Sequence, residues 1–306
     1  MLLIVFVNFT FYILHSSTLA QTYSLAIWPP LTEILIKPGK TITQPYKLIN
    51  NGDDLILIAR ILPFEPKDEF GNINLLQLPG LLNPLSFSLE STGISLGKPF
   101  VIKSGETKEI NLKISVPSKA PEKDFFVCLV FETTPEGRIG VSETQAAAKI
   151  ASNILITTSL TGVPVKKGRI VEFSGPKVVD SFDIVPFTLK IENLGQSFFK
   201  PFGKITIEGL FNQQGEVKIL EKNILPQFTR DLQVSPWKEK FILGPFKARV
   251  EFTIDPPAGG ETSGDKISQE ITFLALPYKA ILALIIILLV LTTISDLPKK
   301  KLSKKS

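Results

Sequence analysis

Strict alternation of apolar and polar residues constrains the fold of this chain more than any other feature of its sequence. Four segments show it, at 109–116, 187–192, 204–208 and 247–254. In the first, Ile110, Leu112 and Ile114 alternate with Asn111 and Lys113. Successive side chains of a strand point to opposite faces of a sheet, so each segment predicts a half-buried β-strand. Between residues 21 and 276 no long stripe of helical periodicity appears.

The segments between these strands are short and rich in Gly, Pro and Asn, which is typical of β-sandwiches and not of a parallel sheet. A boundary falls near Thr161, Val163 and Pro164. The sequence therefore predicts an all-β fold with two tandem immunoglobulin-like β-sandwich domains, residues 21–162 and 163–276. Each is of a size that one sandwich commonly has.

The two predicted domains resemble each other in sequence. Residues 45–52 of the first half (PYKLINNG) parallel residues 186–195 of the second (PFTLKIENLG). Both run from a predicted strand into an Asn/Gly turn, where a positive φ is tolerated. Residues 124–132 and 244–252 form a second pair of related strands. This indicates an internal repeat.

The ends of the chain are apolar. Residues 1–20 resemble a signal peptide with a cleavage site after Ala20, although no basic residue precedes the apolar run, so an uncleaved anchor is the alternative. The run from Pro277 to Ile294 predicts a transmembrane helix at 277–295 that contacts the lipid bilayer. Residues 296–306 form a basic tail, predicted to be cytoplasmic. A single-pass cell-membrane protein with an extracellular ectodomain follows as an expectation.

The net charge of +5 does not indicate nucleic-acid binding. The chain has 34 basic and 29 acidic residues. Six lysines and a single acidic residue, Asp296, follow Tyr278, and the first twenty residues carry no formal charge, so segment 21–278 is neutral. A nucleic-acid-binding surface would place its excess of positive charge on the folded domain.

Few residues are suited to catalysis. The one histidine, His15, lies in the predicted signal peptide, and its removal excludes imidazole-based triads and metal sites. The one cysteine, Cys128, lies in the apolar run 125–131, which predicts a buried structural thiol. The carboxylate pairs Asp53 with Asp54, Asp68 with Glu69, and Glu261 with Asp265 lie in turn-like segments, where solvated loop charge is the simpler interpretation. We expect a protein that is not an enzyme and that has no cofactor and no metal.

Two aromatic residues are candidate ligand contacts. Trp28 precedes Pro29, and Trp237 follows Pro236; they are the two tryptophans of the chain. Tryptophan is enriched at binding surfaces, yet in a sandwich it is more often part of the core, and the sequence leaves both interpretations open. The segment from Leu75 to Pro84 either covers a sheet edge or forms an interaction loop.

Five motifs follow one another along the first half: the strand from Tyr23 to Trp28, Pro38 with Gly39, Asn51 with Gly52, Lys103 to Thr107, and the strand from Phe126 to Phe131. In this order they resemble the WxL-interacting cell-surface proteins of Gram-positive bacteria. The resemblance implies a first domain that contacts peptidoglycan and a second that contacts a partner surface protein or a host ligand. It carries over no ligand-contacting residue.

The sequence leaves three classes of function open. The first is a non-enzymatic binding or adhesion protein whose ectodomain contacts cell-wall polymer or a partner surface protein. The alternative is an extracytoplasmic chaperone or assembly module that offers a sheet edge to a secreted partner for β-strand addition. The third, a carboxylate-based hydrolase, is disfavoured by the missing histidine.

Overall fold

The computed structural model of this protein describes residues 24–77, 84–133, 148–254 and 266–295. Strands dominate these residues, with one short 3₁₀ helix, Leu210–Asn212, and one α-helix, α1, Tyr278–Ser295. The prediction of a mostly β chain is confirmed. The strands are β1 (Leu25–Trp28), β2 (Leu31–Ile36), β3 (Thr41–Asn50), β4 (Leu55–Pro66), β5 (Ile73–Leu75), β6 (Ser86–Leu89), β7 (Pro99–Ile102), β8 (Thr107–Ser115), β9 (Asp124–Thr133), β10 (Lys149–Thr158), β11 (Gly168–Ser174), β12 (Val178–Asp180), β13 (Thr188–Asn193), β14 (Pro201–Gly209), β15 (Gln214–Lys218), β16 (Thr229–Asp231), β17 (Gly244–Ile254) and β18 (Ile267–Leu276).

Strands β1 to β10, the first half, form two sheets around one core. One sheet has the order β1-β3-β8-β6. The other has the order β2-β10-β9-β4-β5, and β7 also pairs with β4. All pairs are antiparallel except β2 with β10. Large side chains that are fully buried between the sheets include Tyr46, Leu112 and Phe131.

Strands β11 to β18, the second half, repeat this arrangement with fewer strands. A sheet of order β11-β13-β16 faces a sheet of order β12-β18-β17-β14-β15. Again one pair is parallel, β12 with β18. The core between these sheets includes Phe199, Phe246 and Phe252. Phe246 stacks on Phe273, with 5.1 Å between ring centroids and 8° between ring planes.

The alternation of apolar and polar residues in the sequence corresponds to the core-facing and outer faces of the strands. In β8, Ile110, Leu112 and Ile114 are buried, whereas the residues between them are half-buried. In β17, Ala248 and Val250 are buried and Arg249 is exposed. The predictions made from the period of two are confirmed for both strands.

The paired Asn/Gly segments form the same local structure in the two halves. Asn50 ends β3 and Asn193 ends β13, and both are fully buried. The amide oxygen of each accepts a hydrogen bond from the backbone N–H two residues later, at 3.0 Å from Gly52 and 2.8 Å from Gly195. Each amide nitrogen donates to backbone carbonyls of a neighbouring loop. Neither glycine has a positive φ. The two halves therefore share this motif because of the hydrogen bonds of the buried Asn side chain, and not because the turn needs a positive φ.

The helix α1 begins directly after β18 and is tied to the second half at its start. The backbone N–H of Lys279 donates to the buried Asp180 carboxylate at 2.9 Å, and Lys279 Nζ pairs with Asp183 at 2.6 Å. Its apolar side chains from Ile281 to Ile294 are exposed.

The prediction of a single-pass membrane protein is wrong. Within the described ranges, no helix is both long enough and apolar enough to cross a membrane.

Some predictions concern residues outside the described ranges. These are the signal segment 1–20 with His15, the tail 296–306, residues 78–83 of the candidate loop, and Glu261 with Asp265. The domain boundaries stay predictions as well.

Candidate binding cleft between the two halves

A third apolar cluster lies outside both cores, where the second half contacts the outer face of the sheet that contains β4, β9 and β10. We call it the interface cluster. Its buried members from the first half are Phe64, Cys128, Val130 and Leu155, and Leu225 comes from the second half. Because both faces of β9 are apolar, one face fills the first core while the other packs against Leu225 and its neighbours.

Cys128 belongs to the interface cluster and not to the first core. It is fully buried, and its thiol donates a hydrogen bond of 3.0 Å to the amide oxygen of Asn153 on β10. Burial raises the pKa of the Cys128 thiol to about 12, since the thiolate would lose its hydration. The prediction of a buried thiol is confirmed, with the correction that Cys128 faces the second half.

We expect the folded protein to react very slowly with a thiol reagent such as Ellman's reagent at pH 8, because the reactive thiolate is suppressed and the sulfur is enclosed. In 8 M urea the same thiol should react at the rate of a free cysteine. Any labelling can be assigned to Cys128, because it is the one cysteine of the chain. Rapid labelling of the folded protein would show that the interface cluster opens easily.

Polar contacts surround the interface cluster and link the two halves. The Glu33 carboxylate accepts hydrogen bonds from Lys200 Nζ at 2.9 Å and from Asn223 Nδ2 at 2.6 Å. Glu69 pairs with Lys190 at 3.0 Å, and its backbone carbonyl accepts from the N–H of Asp231 at 2.8 Å. The acidic partners all come from the first half, so the contacts are electrostatically complementary.

Asp124 makes a further link between the halves. Its carboxylate accepts a hydrogen bond from the Phe198 N–H at 2.6 Å and another from Thr157 Oγ1 at 2.8 Å. Burial raises the pKa of Asp124 above its ordinary value, because the loss of hydration outweighs the hydrogen bonds that stabilise the charged form.

Beside the interface cluster the two halves form a cavity of about 340 Å³ that is open on one side, which we call the cleft cavity. Its wall combines an apolar part with charged and amide side chains from both halves. The apolar part includes Leu31, Phe64, Ile73, Leu155, Leu225 and Phe228, and the polar part includes Asp68, Asn72, Asn153, Lys200, Glu221, Lys222, Asn223 and Arg230.

Two cations of the cleft cavity have no carboxylate in an ion pair within the described part of the chain. Arg230 Nη1 donates to the backbone carbonyl of Asn223 at 2.7 Å, and Lys222 Nζ donates to Gln233 Oε1 at 2.8 Å. Burial lowers the pKa of Arg230, an effect that Asp68 partly offsets. Burial together with the nearby Arg230 charge lowers the pKa of Lys222, an effect that the Asp231 carboxylate partly offsets.

Arg230 lies against the backbone of the first half. A side chain at Gly71 would collide with its guanidinium group, and Gly71 also has a φ of +88°, which favours glycine. Two buried polar atoms of the cavity wall, Arg230 Nε and Asn223 Oδ1, have no hydrogen-bond partner among the described residues.

Among the residues that the structure describes, one sheet edge next to the cleft is only partly paired, and we call it the open edge of β10. The strand β2 pairs with residues 153–158 of β10, whereas β9 pairs with β10 from Lys149 onward. The backbone N–H of Asn153 faces β2, because it donates to the carbonyl of Pro30 at 3.0 Å. Backbone groups of a strand alternate in direction, so the N–H of Ala151 points the same way, beyond the end of β2.

The second half has a similar open edge, but a more polar one. In the described part of the chain, strand β12 pairs with residues 274–276 of β18 and leaves the rest of that edge unpaired. The uncovered part carries the exposed residues Ser268, Gln269 and Glu270, and Glu270 forms ion pairs with Lys247 and Arg249. Charged side chains on an edge discourage pairing with another strand.

The two candidate tryptophans differ in solvent exposure. Trp28 is 66% exposed at the end of β1, whereas Trp237 is 6% exposed in the second core, where its ring contacts Phe246. Neither lines the cleft cavity. A ligand contact at Trp28 or Trp237 stays a prediction.

Sequence reasoning did not find the residues of the cleft cavity. In the sequence, Lys222 and Arg230 lie in no recognisable motif, and Asn153 and Leu155 are recognisable only as part of a predicted strand. Glu69, interpreted as solvated loop charge, instead binds Lys190. Within the described ranges no three His, Cys, Asp or Glu residues are grouped so that they could hold a metal ion.

Comparison with known proteins shows similarity to solved structures only. No family model matches the chain, and no curated protein matches it. A chain of the chaperone–tip adhesin complex of CFA/I fimbriae biogenesis is 14% identical, with a TM-score of 0.40, over 83% of this chain and 99% of that one. The class 5 fimbriae chaperone CfaA is 13% identical, with a TM-score of 0.40, over 83% of this chain and 100% of that one.

The E. coli chaperone DraB is 12% identical, with a TM-score of 0.37, over 83% of this chain and 96% of that one. Similarities at this level carry no conclusion about what this chain binds. Its function has to be argued from its own residues.

Proposed function

We propose that this chain is a non-enzymatic binding protein that takes up an extended segment of a partner protein as an additional strand beside β10. The observation that carries this proposal is the short length of β2: within the described residues, 149–152 of β10 have a strand partner on one side only, which is β9. Each half is, in this proposal, an immunoglobulin-like sandwich. Its support is that in both halves the first two strands belong to different sheets. The second of them, β2 or β12, pairs in parallel with the C-terminal part of the last strand of its half, β10 or β18.

The chemistry of the two open edges favours β10 over β18. The open part of β10 begins with one charged residue, Lys149, which pairs with Glu132, and continues with the partly buried, apolar Ile150 and Ala151. The open part of β18 carries Glu270 in its middle, in two ion pairs. An incoming strand gains main-chain hydrogen bonds at either edge, but beside β18 it would have to accommodate fixed charge. The proposal therefore corresponds to β-strand addition.

The predicted contacts with peptidoglycan and with a lipid bilayer find no support in the structure or in the comparisons. Membership of the WxL-interacting family stays a prediction, and so does the absence of catalysis.

We expect Ala151→Pro to abolish partner binding, because proline removes the backbone N–H that would donate to the incoming strand. Ala151→Val is the matched control: it adds side-chain volume, keeps the N–H and suits a strand. To capture the partner, a photo-crosslinking amino acid is placed at Lys149 in the protein expressed in its native host. The same group at Thr43, an exposed position of β3, reports on non-specific contact.

The proposal predicts a partner that crosslinks at Lys149 and not at Thr43. Binding of that partner should slow hydrogen exchange of the Ala151 amide, and Ala151→Pro but not Ala151→Val should abolish the complex. Equal crosslinking at both positions, or full binding by a folded Ala151→Pro variant, would refute strand addition at β10.

A further inference from the structure

We infer that the cleft cavity binds a small carboxylic acid with an apolar body. Its carboxylate lies against Arg230 and Lys222, and its apolar part lies on Phe64, Leu155 and Leu225. The site is formed by side chains of both halves and does not require the open edge of β10, so it is independent of strand addition.

The charge of the ligand follows from the cations of the cavity wall. Arg230 and Lys222 are close enough for the charge of Arg230 to depress the pKa of Lys222, and burial depresses the pKa of both. Their hydrogen bonds go to a carbonyl and to an amide oxygen, which are neutral acceptors. An anion between the two would relieve their repulsion and replace lost hydration.

Asp68 attracts Arg230 and Asp231 attracts Lys222, but within the described part of the chain neither carboxylate is in an ion pair with these cations. The Asp68 carboxylate accepts hydrogen bonds within its own turn, from the backbone N–H of Phe70 at 3.0 Å and from the Asn72 amide at 2.7 Å. Glu221 is not in an ion pair with Lys222 or Arg230. The guanidinium Nε of Arg230 is buried and has no acceptor among the described residues.

The apolar body follows from the other side of the cavity. Phe64, Leu155 and Leu225 belong to the interface cluster, and all three contribute to the cavity wall. Ligand pockets commonly combine an apolar wall with a few polar groups that fix the orientation of the ligand.

The volume sets the size of the ligand. A cavity of about 340 Å³ lies at the lower end of the range for ligand pockets, about 300–1,000 Å³. A carboxylic acid with one ring or a short branched chain fits this size.

The test titrates the full-length protein with 4-phenylbutyrate and with its neutral amide, 4-phenylbutyramide, by isothermal titration calorimetry. The two probes share size and apolar body and differ in charge. We expect the carboxylate to bind at least about tenfold more tightly than the amide, as hydrogen bonds to charged groups are the stronger ones. Equal affinity of the two probes, or no binding of the carboxylate at millimolar concentration, would refute the inference.

Three variants locate the site. Arg230→Gln and Lys222→Gln should each weaken binding of 4-phenylbutyrate about tenfold and leave binding of the amide unchanged. Lys177→Gln removes the same charge from an exposed position of the second half outside the cavity wall, and should have no effect. If Arg230→Gln fails to fold, Lys222→Gln still decides the question. An equal loss of affinity in Lys177→Gln would show that the general charge of the protein, and not the cleft cavity, attracts the probe.

Discussion

Replacing Phe246 with alanine is expected to lower the free energy of unfolding of the second half by about 3–5 kcal/mol. Phe246 is 2% exposed and lies between the rings of Phe273 and Trp237, so its removal leaves a cavity lined by aromatic groups that cannot collapse easily. The measurement is urea unfolding followed by the fluorescence of Trp237. For this purpose the exposed Trp28 is replaced by phenylalanine, which leaves one tryptophan in the chain.

The matched control is Phe131→Ala in the first core. Phe131 is fully buried and contacts Phe100 edge to face at 6.1 Å between ring centroids. If the two cores unfold separately, Phe131→Ala should leave the Trp237 transition nearly unchanged, while Phe246→Ala shifts it to a lower urea concentration. A loss below about 1 kcal/mol in Phe246→Ala would contradict the packing described for the second core.

Replacing Cys128 with aspartate is expected to destabilise the folded protein by several kcal/mol. The new carboxylate would be buried in the interface cluster next to Val130 and Leu225, with the Asn153 amide as its one polar neighbour in the described contacts. Chemical denaturation with circular dichroism measures the loss. The buried aspartate would have a raised pKa, so the penalty should shrink as the pH falls from 7 towards 4.

Cys128→Ser is the matched control for size and polarity. Its hydroxyl can donate to Asn153 as the thiol does, so we expect a loss of about 1 kcal/mol. If Cys128→Asp and Cys128→Ser are equally stable at pH 7, the position is hydrated and the interface cluster does not exclude water.

The sequence determined the strands of this protein and much of its two cores. The alternation of Ile110, Leu112 and Ile114 with polar residues is a local property, because the backbone of a strand sends adjacent side chains to opposite faces. The similarity of the segments that end at Asn50 and Asn193 was also visible in the sequence. The role of those two residues was not: burial of the amides depends on loops distant in sequence, at Lys103 and Ile224.

The sequence also indicated that Cys128 is buried, but not where. In the run 125–131 both faces of β9 are apolar, and alternation gives no information when neither face is polar. Only the packing of the second half against the outer face of β9 decides that Phe125 and Phe131 lie in the first core while Cys128 and Val130 lie in the interface cluster.

The cleft cavity is a property of the tertiary structure alone. Asn153 and Leu155 come from β10, Gly71 from a turn after β4, and Lys222 with Arg230 from either side of a loop in the second half. No spacing in the sequence connects them, since each occupies an ordinary position in its own segment. Local periodicity fixes which face of a strand is apolar, but the contact between two halves is decided by shape and charge over long separations in the chain, as in Lys200 with Glu33 and Lys190 with Glu69.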